Sequence, residues 1–252
     1  MKKIIYPALW FISIAAFGQQ SLNGAFKAGK AKYGNESMNT DSLTIIKIFK
    51  DGYWIAAFFS RSPVWFDGSC GGTYTTANGK YIETVNFYSW DSTAVGSVFT
   101  FNYSLDKNKY TQDGKMNSDK YKDYPIKEEY NKITSIEHLK NSSLEGAWVM
   151  QVGQWGKDKL GEGEYQNVIV RKIFSYPRFA FAYFDTVGKR FVGAGGGTYQ
   201  FDGKTLIEKV EYWSWGTPDH PLGKFEIAMQ SKGKFEQTGW NNGLAETWKK
   251  LP

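Results

Sequence analysis

The chain has 252 residues, 41% of them hydrophobic and 17% aromatic, with 27 glycines and only 7 prolines: enough apolar material for buried cores and a composition unlike that of a disordered chain. Its formal charge of +6 falls by two when Lys2 and Lys3 are set aside, and the remaining lysines are scattered, which argues against nucleic acid as a partner because binding it takes clustered basic residues. Cys70 is the single cysteine, so an intramolecular disulfide is excluded.

In chain order, Lys2-Lys3 lead into an apolar run from Ile4 to Phe17 that ends at Ala16-Phe17-Gly18. This is the pattern of a signal peptide over 1–18, cleaved before Gln19. The run is short for a bilayer span, so stable membrane insertion is not expected, and the protein is expected to be exported, periplasmic or secreted. The residue directly after the cleavage point is Gln19, not a cysteine, so a lipid anchor there is not expected.

The remainder is a duplication. Ser21-Leu22-Asn23-Gly24-Ala25-Phe26 returns as Ser143-Leu144-Glu145-Gly146-Ala147-Trp148. Gly71-Gly72-Thr73-Tyr74 and the segment from Ile82 to Trp90 return 125 positions later as Gly196-Gly197-Thr198-Tyr199 and the segment from Ile207 to Trp215. Between these landmarks lie short apolar or aromatic runs, 43–49 and 53–59 in the first copy, 168–174 and 178–184 in the second. Asn78-Gly79 and Asp202-Gly203 mark hairpins before the return strands at 81–90 and 206–215. Further strands are expected at 98–104, 109–116 and 126–133, and at 224–230, 234–240 and 244–251. About eight short strands per copy, with no helical period, predict an all-β protein of two tandem antiparallel β-barrels, over 19–133 and 143–252 with a linker at 134–142. Closure is favoured because it removes sheet edges.

Alternation sorts the faces. In the return strands Glu83 and Glu208 fall on the apolar side with Val85, Phe87 and Ser89, or with Val210, Tyr212 and Ser214. Lys47 and Lys172 likewise sit among apolar neighbours. Gln112 and Gln237, Glu128 and Glu246 complete an inward polar set in each copy, with Tyr74 and Tyr199 on the neighbouring strands. Unpaired buried charge is costly, so Lys47 is expected to pair with Glu83 or Glu128, and Lys172 with Glu208 or Glu246. Such a set is either a structural network or a ligand site.

The opening Leu144-Glu145-Gly146-Ala147-Trp148 resembles the Gly-x-Trp that begins lipocalin barrels, and Trp248-Lys249-Lys250 resembles the stretch whose basic residue crosses that tryptophan. The run 193–199 with its partner strand is similar to secreted bacterial lipocalin-like domains of unknown function. Phe26 replaces the tryptophan in the first copy, and the Thr-Asp-Tyr loop motif of classical lipocalins is absent. The resemblance implies lipocalin-like barrels with a ligand-sized interior and brings no established activity.

Three functions follow as expectations. The first is non-catalytic binding of a small, partly apolar ligand inside one or both barrels. The second is recognition of a glycan or protein partner by aromatics at the barrel ends, with Trp90, Trp213, Trp215 and Trp240 as candidates. The third is acid–base chemistry by a carboxylate pair such as Glu83 and Glu128. His138 and His220 have no counterparts in the other copy, which disfavours a triad or a metal site. No cofactor is expected, and the glycine runs lack the Lys-Ser/Thr of a phosphate loop.

Overall fold

The computed structural model describes residues 22–134, 143–216, 222–231, 233–239 and 245–252. The expected signal peptide, the linker from 135 onward, His138, His220 and Trp240 lie outside the described residues.

The first barrel comprises β1 (Gly24–Tyr33), β2 (Thr44–Lys50), β3 (Tyr53–Arg61), β4 (Val64–Ala77), β5 (Lys80–Tyr88), β6 (Val98–Asp106), β7 (Lys109–Met116) and β8 (Tyr124–Lys132). The second comprises β9 (Gly146–Val152), β10 (Ile169–Ser175), β11 (Arg178–Asp185), β12 (Arg190–Phe201), β13 (Thr205–Trp213), β14 (Leu222–Ser231), β15 (Lys234–Thr238) and β16 (Ala245–Lys250). Each strand pairs antiparallel with its sequence neighbours, and the first and last strands of each set pair to close the barrel. Asp51-Gly52 and Asn78-Gly79 turn tightly between strands, with φ positive at both residues, as two-residue hairpin turns require.

Several strands are apolar on both faces, and the reason is a second packing surface. In β2, Ile45 and Phe49 point into the barrel, whereas Ile46 and Ile48 join Ile55, Ala57 and Phe59 of β3 in a cluster with Ile173, Ala180, Ala182 and Phe184 of the other barrel. The barrels therefore pack side by side through an external face. The contact is symmetric: Phe59 stacks on Tyr212 at 4.8 Å and Phe87 on Phe184 at 5.0 Å. Phe184 is the repeat counterpart of Phe59 and Tyr212 that of Phe87, so one contact is made twice about a pseudo-twofold axis.

This corrects the facing of Phe87 and Tyr212, which alternation assigned to the barrel interior. A bulge in β5 leaves Asn86 between the pairs Gly71–Phe87 and Gly72–Val85, and β13 repeats it at Glu211. One inserted residue reverses the parity of everything beyond it. Thus Val85 stays inside, while Phe87 turns outward to the other barrel. The bulge also explains the glycines. A Cβ on Gly72 would lie 1.8 Å from the Thr84 carbonyl oxygen, and one on Gly197 would lie 1.9 Å from that of Lys209.

The bulged residues themselves bond at the interface. Arg171 Nη1 donates to Asn86 Oδ1 at 2.9 Å, and Glu211 accepts from Arg178 and Arg61 at 2.8 and 2.7 Å.

Candidate functional site

Each barrel has a closed end and an aromatic end. At the closed end of the second, Trp148 Nε1 donates to the Leu144 carbonyl at 2.8 Å, and Lys250 Nζ lies 5.7 Å from the Trp148 ring centroid. Lys132 stands over Phe26 at 5.9 Å in the first barrel. At the other end of the second barrel Trp155, Tyr165, Tyr183, Trp213 and Trp215 form a chain of rings with neighbouring centroids 4.9–5.5 Å apart. Its counterpart in the first barrel runs through Tyr33, Phe58, Trp90 and Tyr88. Trp90 and Trp215 each lie flat on bare backbone, where a Cβ on Gly68 or Gly193 would come within 2.2 or 2.0 Å of the indole.

Between the two ends, strand alternation carries the expected polar set inward. In the first barrel Lys47 is 3% exposed and Glu83 6%. Lys47 Nζ reaches Glu83 Oε2 at 3.4 Å and Gln112 Oε1 at 3.0 Å. Tyr81 donates to the same Glu83 oxygen at 2.6 Å, and Tyr110 to the same Gln112 oxygen at 2.5 Å. The ammonium also stands 4.5 Å from the Trp54 ring centroid and 4.9 Å from that of Tyr81. Trp54 Nε1 is itself buried without a hydrogen-bond partner.

The second barrel reproduces the core of this arrangement. Lys172 Nζ lies 2.6 Å from Glu208 Oε1 and 3.5 Å from Gln237 Oε1, within 6 Å of the rings of Phe174, Phe179, Phe181 and Trp248. A cation over several aromatic faces, out of water, gains about 2 kcal/mol or more. Burial raises the pKa of both Glu83 and Glu208, with the facing lysine pulling the other way.

No protein-family model matches the chain, and no curated protein matches it. The duplicated interior is therefore the strongest guide to function.

Glu128 and Glu246 lie beyond the lysine, toward the aromatic end. Tyr33 donates to Glu128, and Trp248 Nε1 donates to Glu246 at 3.0 Å, with the Trp155 side chain close by. Each lysine thus pairs with the first carboxylate named for it, and the second is held by Tyr33 of the first strand in one barrel and by Trp248 of its own strand in the other. Tyr33, the last residue of β1, and Trp155, just beyond the end of β9, hold equivalent places in the two copies, and alternation along single strands gave no sign of them.

Tyr74 and Tyr199 stand apart from the quartet. Tyr199 sends its hydroxyl to Glu145 Oε1 at 2.8 Å, toward the closed end, and Tyr74 packs on Phe49 at 5.2 Å and Tyr81 at 5.7 Å. Acid–base chemistry would need a substrate beside Glu83 and Glu128, and both are buried. Among the described residues no group of three or more His, Cys, Asp or Glu side chains converges as metal ligands. A groove of about 360 Å³ outside the first barrel, beside Gly29, Met38 and Lys127, lies away from the quartet.

Proposed function

We propose that this is an exported, non-catalytic binding protein of lipocalin-like type, which takes a small, partly apolar ligand into a barrel through its aromatic end. The observation that carries the reading is the Lys-Glu-Gln-Glu quartet, buried in both barrels beneath a rim of aromatic rings. Ligand pockets are mostly apolar with a few fixed polar groups, and this is that combination. The Gly-x-Trp opening with a lysine over the tryptophan supports the lipocalin-like assignment.

Native mass spectrometry of the protein purified from its own periplasm or medium tests the reading. A retained small molecule, on a chain beginning at Gln19, is the expected result. A bare chain that also gains no mass from extracts of the same cells overturns ligand binding, and an intact N-terminus overturns export by cleavage.

Trp215, 45% exposed, and Trp65, 54% exposed, favour a second reading in which glycan or protein stacks on the barrel ends. Retention of mature protein on a glycan column, lost in Trp215→Ala, would favour it over the first.

A further inference from the structure

The two quartets are the same in sequence and differ in what completes them. In the first barrel Glu83 and Gln112 each accept a second bond, from the phenols of Tyr81 and Tyr110. The residues in the equivalent places of the second barrel are Leu206 and Phe235, which have no hydroxyl. Among the described residues Gln237 Oε1 keeps the long 3.5 Å contact from Lys172 and no other. Glu208 Oε1 is buried beside the ammonium at 2.6 Å, but among the described residues no donor is aligned on it.

The facing side chain differs at the same point. Phe99 is the cross-strand partner of Glu83, and Gly223 is that of Glu208. Directly opposed residues share a face, so the first barrel places a benzyl group beside its carboxylate where the second places none. The second barrel adds a ring at Phe181, in place of Ala56, and that ring lies between the quartet and the aromatic end, 5.9 Å from Lys172 Nζ, 5.7 Å from Trp213 and 6.0 Å from Tyr183. Among the described residues the first barrel also has unpartnered groups, Trp54 Nε1 and the Tyr130 hydroxyl, but there Lys47 covers the Trp54 ring and both groups sit in one buried cluster with Tyr81, Phe99 and Tyr110.

From these exchanges we infer that the second barrel is the binding barrel, and that its ligand presents a hydroxyl on an apolar, ring-sized body to Glu208 and Gln237. The ligand supplies from outside what Tyr81 and Tyr110 supply covalently in the first barrel. The inference rests on the ligand-binding reading and narrows it to one interior and one chemistry.

The test uses the full mature chain with p-cresol, which is a tyrosine side chain freed from the backbone, and toluene, which lacks the hydroxyl. Calorimetric titration is expected to show one site, with p-cresol at least about tenfold tighter than toluene, the gain of one hydrogen bond to a charged group. Gly223→Phe should abolish binding. Because that variant could also misfold, a second one works in the opposite direction: Tyr81→Leu with Phe99→Gly in the first barrel should create a second p-cresol site. Equal affinities for p-cresol and toluene overturn the hydroxyl. Binding that survives in a folded Gly223→Phe protein overturns the choice of barrel. Absence of binding by either probe overturns the inference as a whole, whereas the broader reading stands or falls on the native mass measurement.

Discussion

Phe66 and Phe191 occupy the same position in the two halves of the chain, and they stack on each other, with ring centroids 6.4 Å apart and planes 11° from parallel. A residue that touches its own counterpart lies on the axis relating the halves. Both stand near the aromatic ends, and Lys50 pairs with Glu145 at 2.7 Å between the closed ends, so like ends of the barrels meet.

The first prediction follows from that symmetry. Phe59→Ala and Phe184→Ala remove equivalent rings from the interface, and each should cost about 3–5 kcal/mol. Urea unfolding of the mature chain should give similar losses. A near-neutral effect at either position would show that the face is not shared equally.

The second concerns the lysines. Removing one partner of a buried pair costs about 3–5 kcal/mol. Lys47→Met leaves Glu83 with the Tyr81 hydroxyl, whereas Lys172→Met leaves Glu208 with no aligned donor. The Lys172 variant should therefore be the less stable of the two in the same denaturant titration, and the reverse order would contradict the bonding described.

The third is a pH dependence with opposite signs at two glutamates. Burial raises the Glu208 pKa against the pull of Lys172, so between the unfolded and folded values the folded state binds a proton more tightly than the unfolded chain does. Its contribution is complete below the ordinary value of about 4.3 and is lost as pH rises through the folded value. Wild type should lose stability relative to Glu208→Gln over that rise. At Glu211 burial acts to raise the pKa, but Arg178 and Arg61 outweigh it and leave it lowered. The advantage of wild type over Glu211→Gln should be present above about pH 4.3 and vanish as pH falls through the folded value. Unfolding midpoints measured from acid to neutral pH distinguish the two signs.

The fourth is steric. Gly72→Ala and Gly197→Ala drive a methyl into the carbonyl of the neighbouring strand, where no side chain can rotate away. The cost should exceed the usual 1–3 kcal/mol or so of overpacking, and circular dichroism with thermal melting is sufficient to see it.

The barrels and the polar quartets were legible because each rests on a simple period. Alternation survives wherever strands are regular, and a lysine or glutamate on the apolar side in both copies is hard to produce by chance. What alternation missed begins at Asn86 and Glu211, because one bulged residue reverses all later parities without changing the composition. The interface escaped for a related reason: Ile46, Ile48 and Ile55 read as parts of continuous apolar runs, and a run cannot say that its two faces meet different partners. The differences between the barrels were present in the text of the repeats, at Tyr81 and Leu206 or Phe99 and Gly223, but only strand register shows that these exchanges surround one carboxylate.

The symmetric face has the form of an assembly of two identical barrels, yet here both halves are parts of one chain. In such an assembly every change to the interior is made twice, and association weakens as the protein is diluted. Covalent joining removes both constraints, since the halves meet at a local concentration fixed by the connection between them. One copy can then retain its tyrosines as a permanent filling, while the other gives them up and remains anchored to an intact sibling.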